Sequence, residues 1–143
     1  MSKQYAVTPM VRFANRIIVQ LLRWGVTMPQ MALLTVRGRK SGQTYSLPVQ
    51  PVEEGGQRWL VSPYGITNWV RNARAGGEVI LASGGSAQTV RLREQGAQAA
   101  APILKKYIDR VTIVRPYFDA QPDAPLEAFA AEAPRHPVFL IEP

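Results

Sequence analysis

The stretch Gly38-Arg39-Lys40-Ser41-Gly42 places two cations and a hydroxyl between two glycines. Glycine at either end lets the backbone take positive φ and turn its N–H groups into a concavity, while Arg39 offers a planar fork of donors and Lys40 a mobile point charge. A phosphate or a carboxylate would suit such a nest. The spacing is not that of a nucleotide-binding loop, which needs four residues between its first glycine and Gly-Lys. The plain alternative is a hairpin tip with solvated cations. Other chemistry is scarce. The single histidine, His136, stands between Arg135 and Pro137 with no evident acid near it in sequence, so a Ser-His-Asp relay is not indicated and a structural hydrogen bond is expected of it. There is no cysteine, and the acids show no ligand spacing with a histidine, so no metal site is expected. Glu53-Glu54 belongs to a turn and not to a glycosidase pair.

What remains is a chain poor in acid–base groups but equipped to hold an anionic, aromatic ligand, the profile of an enzyme whose cofactor carries the difficult chemistry. Ser62-Pro63-Tyr64-Gly65, followed by Trp69, could wall a flat heteroaromatic ring, with Ser62 and backbone N–H groups at its polar edge. A place in the core is the alternative for Trp69.

The elements that must position these residues can be read from periodicity. Pro9 to Trp24 carries Phe13, Ile17, Ile18, Leu21 and Trp24 at helical spacing with Arg12, Arg16, Gln20 and Arg23 opposite, an amphipathic helix over about 9–25 that either covers a barrel or rests on an anionic membrane surface. Strands are expected over 31–36, 44–49, 58–62, 78–83, 89–93 and 136–142. The basic turn joins the first two, and Glu53-Glu54-Gly55-Gly56 makes a second turn. A short helix capped by Thr67 runs through Trp69 and Asn72 to Gly76-Gly77. Later helices span 97–110, with Pro102 starting its main body, and 126–133, opened by Pro125, and 116–125 is the expected long loop. The sum is a mainly β chain with flanking helices, a small closed barrel in one domain over residues 1–143.

Composition narrows the partners. The chain has 143 residues, 46% of them hydrophobic, and a formal net charge of +7. That charge favours nucleic acid, an anionic membrane face or an anionic small molecule. Against nucleic acid, the aromatics are not interleaved with the cations along one strand face. The first residues lack a signal-peptide pattern and no apolar run is long enough to span a membrane, so a cytoplasmic setting is expected, with membrane association through the first helix as an added option.

Taken together, Leu33-Leu34-Thr35, Gly38-Arg39-Lys40-Ser41-Gly42-Gln43, Trp59-Leu60-Val61-Ser62, Trp69-Val70-Arg71-Asn72 and the closing Pro137-Val138-Phe139-Leu140-Ile141-Glu142-Pro143 resemble the deazaflavin-dependent nitroreductase family, also described as quinone reductases. The resemblance runs from about residue 10 to the C-terminus. It implies a six-stranded split β-barrel of the flavin-reductase-like kind and the deazaflavin coenzyme F-420, whose phosphate and oligoglutamate tail would be engaged by Arg39, Lys40, Ser41 and Gly42, with Gln43 nearby. It further implies a ring site at Ser62, Tyr64 and Gly65 with Trp69 and Asn72, and an acceptor pocket drawing on Phe13, Trp24, Tyr117, Phe118 and Phe129. Tyr64 is the candidate for a proton or hydrogen bond to the acceptor. The loop carries Pro63-Tyr64 where family members have more glycine, and the last helix carries Phe129 where they have tyrosines. The implied reaction is hydride transfer from the reduced deazaflavin to a quinone, an enone or a nitroaromatic. Flavin mononucleotide as cofactor, a non-catalytic deazaflavin carrier and a basic nucleic-acid-binding barrel are the alternatives. The expected partners are a small-molecule acceptor and a second copy in a homodimer, and not nucleic acid.

Overall fold

The structure is a computed structural model, and it describes residues 16, 31–38, 42–76, 78–83 and 86–143. Phe13, Trp24, Arg39, Lys40, Ser41 and, apart from Arg16, the helix expected over about 9–25 lie outside them.

Seven antiparallel strands form one sheet: β1 (Ala32–Arg37), β2 (Thr44–Val49), β3 (Val52–Glu54), β4 (Gln57–Val61), β5 (Glu78–Ser83), β6 (Ser86–Glu94) and β7 (Val138–Glu142). Their order is β2-β1-β5-β6-β7-β4-β3. The two edge strands are consecutive in the chain, and only Gln50 and Pro51 separate them. Three Cα steps reach at most roughly 11 Å. The edges are therefore held close together and the sheet must curl on itself, which makes it a split barrel. One strand more is present than the six expected. Pro51 cannot donate to a ladder, so the chain leaves β1 at Val49 and starts a separate hairpin with β4, turned by Gly55 and Gly56 at φ 58° and 79°.

Alternation explains the barrel interior. Ala32, Leu34 and Val36 of β1, Val90 and Leu92 of β6, and Phe139 and Ile141 of β7 all point inward and are buried. Helix α1 (Asn68–Gly76) adds Trp69, Val70 and Ala73 to this cluster. On the other side, helix α2 (Ala97–Arg110) buries Ala100, Ala101, Ile103, Leu104, Tyr107 and Ile108 at helical spacing against Val61, Val138 and helix α3 (Leu126–Glu132). Pro102 lies inside α2 and does not start it. The expected long loop is shortened by a 3-10 helix over Thr112–Tyr117, and β6 extends back to Ser86, paired with Ser83. No helix among the described residues is long and apolar enough to cross a membrane.

Candidate active site

Strand β4 ends at Ser62, and the loop that follows is stapled from within. The Ser62 N–H donates to the Pro137 carbonyl at 2.9 Å, and Ser62 Oγ donates to the Gly65 carbonyl at 2.6 Å. Gly65 sits at φ 96°, where a side chain would be strained. Its carbonyl also accepts the Thr67 N–H at 3.0 Å. This geometry leaves Pro63 buried and Tyr64 exposed, the Tyr64 ring standing edge-on to Tyr117 at 5.1 Å and 81°. Buried Tyr107 lies close enough to Tyr64 to feel its charge. Burial first, and then Tyr64, push the Tyr107 phenol above its ordinary 10.0.

Thr67 occupies the cap position of α1, since its carbonyl accepts the Arg71 N–H at 3.1 Å. The expected side-chain cap is not made. Thr67 Oγ1 is buried with no hydrogen-bond partner, the one such side-chain atom among the described residues. A buried hydroxyl left unpaired is costly, and a ligand donor or acceptor beside the first turn of α1 would satisfy it.

The root of the basic turn is well defined. The Gly38 N–H donates to the Gln43 carbonyl at 2.7 Å and the Gly42 N–H to the Gly38 carbonyl at 2.9 Å, with Gly42 at φ 72°. The Gly42 N–H is thus used inside the turn. Arg37, absent from the sequence reading, donates from Nε to the Gly42 carbonyl at 3.2 Å and adds a cation at the neck. Tyr45, next to the last β1–β2 pair of Arg37 with Thr44, accepts a hydrogen bond from Asn72 Nδ2 at 2.8 Å. The hairpin root and the helix that follows the Ser62–Thr67 loop are therefore tied together, with exposed Arg71 beside Asn72.

Four polar or charged side chains are buried among the described residues: Ser62, Asn72, Glu132 and His136. Glu132 was the residue missed by the sequence reading, which found no acid for His136, although it lies four positions before it. Its carboxylate accepts from the Asp119 N–H at 2.7 Å and the Ala120 N–H at 2.9 Å, and it meets His136 Nε2 at 2.9 Å. His136 Nδ1 meets the Pro63 carbonyl at 2.9 Å, and the ring stacks on Phe118 at 3.8 Å and 15°. Because Ser62 Oγ is bonded to Gly65 and His136 to Pro63, the three do not form a nucleophilic relay.

The structure thus brings Ser62, Tyr64 and Gly65 together with Tyr117 and, through His136, with Phe118. Trp69 and Phe129 stand elsewhere. Trp69 is buried in the barrel against Phe139 at 5.6 Å, and Phe129 is wholly buried between α2 and α3. A cleft of about 720 Å3 is lined by Thr112, Arg115, Pro116, Phe118, Asp119 and Gln121. No three His, Asp or Glu side chains among the described residues gather as a metal site.

Comparison with known proteins defines the class. Residues 8–121 match the F420H2-dependent quinone reductase family, and the chain belongs to that family of oxidoreductases. Among solved structures it is similar to an F420-H2 dependent reductase, with 23% identity, 81% of this chain and 97% of the other covered, and a TM-score of 0.55. It is also similar to a chain described as a domain-swapped dimer (20% identity, 94% and 100% covered, TM-score 0.59) and to a putative pyridoxamine 5'-phosphate oxidase from Listeria innocua (12% identity, 90% and 91% covered, TM-score 0.55). At these identities the structures support the split-barrel fold. No curated protein sequence matches the chain.

Proposed function

We propose that the protein is an F-420-dependent oxidoreductase that delivers a hydride to a small electron-poor acceptor, a quinone, an enone or a nitroaromatic. The observation that carries this reading is the Asn72–Tyr45 bond, which links the basic hairpin to the helix following the Ser62–Gly65 loop, within a chain of the quinone reductase family. The residues fit the cofactor. Arg37, Arg39, Lys40 and Arg71 supply cations for a phosphate and carboxylate tail, and the loop with the unpartnered Thr67 hydroxyl supplies polar contacts for a ring edge.

Bound F-420 supplies the hydride from C5 of its reduced deazaflavin. The chain supplies position, charge and exclusion of water. Tyr64 and Tyr117 offer a wall of two crossed rings to a flat acceptor. The Tyr64 hydroxyl donates to the acceptor oxygen as negative charge develops there, and gives it a proton that solvent replaces at this exposed side chain. A second copy of the chain in a homodimer belongs to this reading, supported by the domain-swapped dimer among the similar structures.

The test is a fluorescence-quenching titration with F-420 and, separately, with flavin mononucleotide, followed by oxidation of reduced F-420 with quinone, enone and nitroaromatic acceptors. Binding of F-420 with turnover is expected, and Tyr64→Phe should lower the rate more than the cofactor affinity. Tight binding without turnover would make the protein a carrier, and preference for flavin mononucleotide would move it to the flavin enzymes of the same fold.

A further inference from the structure

His136 has been assigned no part in the proposed reaction, yet both of its ring nitrogens are committed. A carbonyl oxygen can only accept, so Nδ1, 2.9 Å from the Pro63 carbonyl, carries a proton. The other nitrogen meets, at 2.9 Å, a Glu132 oxygen that also accepts the Asp119 N–H. The ring is fixed in its plane by Phe118 and is buried, as is Glu132. A four-part strap results: Pro63 carbonyl, imidazole, carboxylate, and the paired N–H groups of Asp119 and Ala120.

The two ends of this strap belong to the two sides of the site. Pro63 lies between Ser62 and Tyr64 in the loop read as facing the cofactor ring, while Asp119 and Ala120 follow Tyr117 and Phe118 on the acceptor side. Resting on the functional reading above, we propose that His136 is a positioning residue that holds the 62–65 loop in register with the 117–120 segment, and so sets the spacing between donor ring and acceptor. The charged groups nearest the strap are Arg135, 3.8 Å from Glu132, and Asp119, paired with Arg135 at 3.0 Å. Both are on the surface and neither replaces a bond of the strap.

Two substitutions separate its halves. The amide nitrogen of asparagine overlays Nδ1 of histidine, so His136→Asn keeps the Pro63 bond and loses Glu132. The amide nitrogen of glutamine overlays Nε2, so His136→Gln keeps Glu132 and loses Pro63. In the protein without cofactor, amide hydrogen exchange at Tyr64 to Thr67 should quicken in His136→Gln and stay near wild type in His136→Asn, with the reverse at Asp119 and Ala120. In the loaded enzyme, hydride transfer in His136→Gln should fall about tenfold, the scale of one hydrogen bond, with cofactor affinity within about threefold of wild type.

Equal loosening of both segments in both variants, in step with a common loss of Tm, would make His136 a merely structural residue and overturn the proposal. An unchanged transfer rate in the presence of a loosened loop would overturn it as well. Failure of the wild type to bind F-420 would count against the functional reading alone, since the exchange comparison still decides whether His136 holds the loop. Should either variant not fold, the wild type decides: a solvent-protected Nδ1–H resonance is required, and its absence overturns the proposal.

Discussion

The side-chain amide of Asn72 donates to the phenol oxygen of Tyr45 at 2.8 Å, joining α1 to β2 one residue from the root of the basic hairpin. Asn72 is buried and Tyr45 half-buried, so removing the donor takes a partner from the phenol oxygen. Asn72→Leu should destabilise the fold by about 1–3 kcal/mol and Tyr45→Phe by about 1 kcal/mol, both read from urea unfolding. The double variant should lose less than the sum, because the two residues share one interaction. Additive losses would show that the bond does not couple helix and hairpin.

Lys40 stands at the tip of that hairpin in sequence, outside the described residues. If the tail of the cofactor is read by the turn, Lys40→Ala should weaken F-420 binding by about 1.5–3 kcal/mol, roughly tenfold to a hundredfold. Added salt should weaken wild-type binding in the same direction. A titration superimposing on wild type at low salt would reduce the turn to a solvated hairpin tip.

Phe129 divides two readings of one side chain. The sequence placed it in the acceptor pocket because the family's last helix carries aromatic residues, whereas the structure buries it wholly among Leu104, Ile108 and their neighbours. Phe129→Ala should therefore cost about 3–5 kcal/mol of stability, and Phe129→Leu far less. The Leu variant should keep the wild-type KM for the acceptor. A large rise in that KM without loss of stability would return Phe129 to the pocket.

Strand β6 was legible in the sequence from the alternation of Val90 and Leu92 with polar neighbours, because a half-buried strand leaves a period of two, and β1 from its short apolar run at Ala32 to Val36. The glycine turns were legible for the same local reason. The split between β2 and β3 was not, since Pro51 marks a break without saying which strand each side will pair with. The side that an aromatic residue faces is also a tertiary property, which is why Trp69 and Phe129 could be placed at a site and be found in the core. The Glu132–His136 pair shows the limit most clearly. Its spacing of four was visible, but α3 gives way to a 3-10 turn at Ala133, and only the return of β7 beside β4 carries His136 to Pro63.

Tyr107 offers a pH test of the packing beneath the site. Burial, and then the neighbouring Tyr64, raise its pKa in the folded protein above the ordinary 10.0. The folded state therefore holds this proton after the unfolded chain has begun to release it. Stability is unaffected by this group below about pH 10 and falls as the pH rises beyond it, with a limiting slope of about 1.4 kcal/mol per pH unit. Urea unfolding between about pH 9 and 11 should show this decline, and Tyr107→Phe, which removes the proton while keeping the ring, should flatten it. Ultraviolet titration of the folded wild type should likewise show one tyrosine fewer ionising near its ordinary pKa than in the unfolded chain. An alkaline decline of the same slope in Tyr107→Phe would show that the phenol is not held in a site that resists its ionisation.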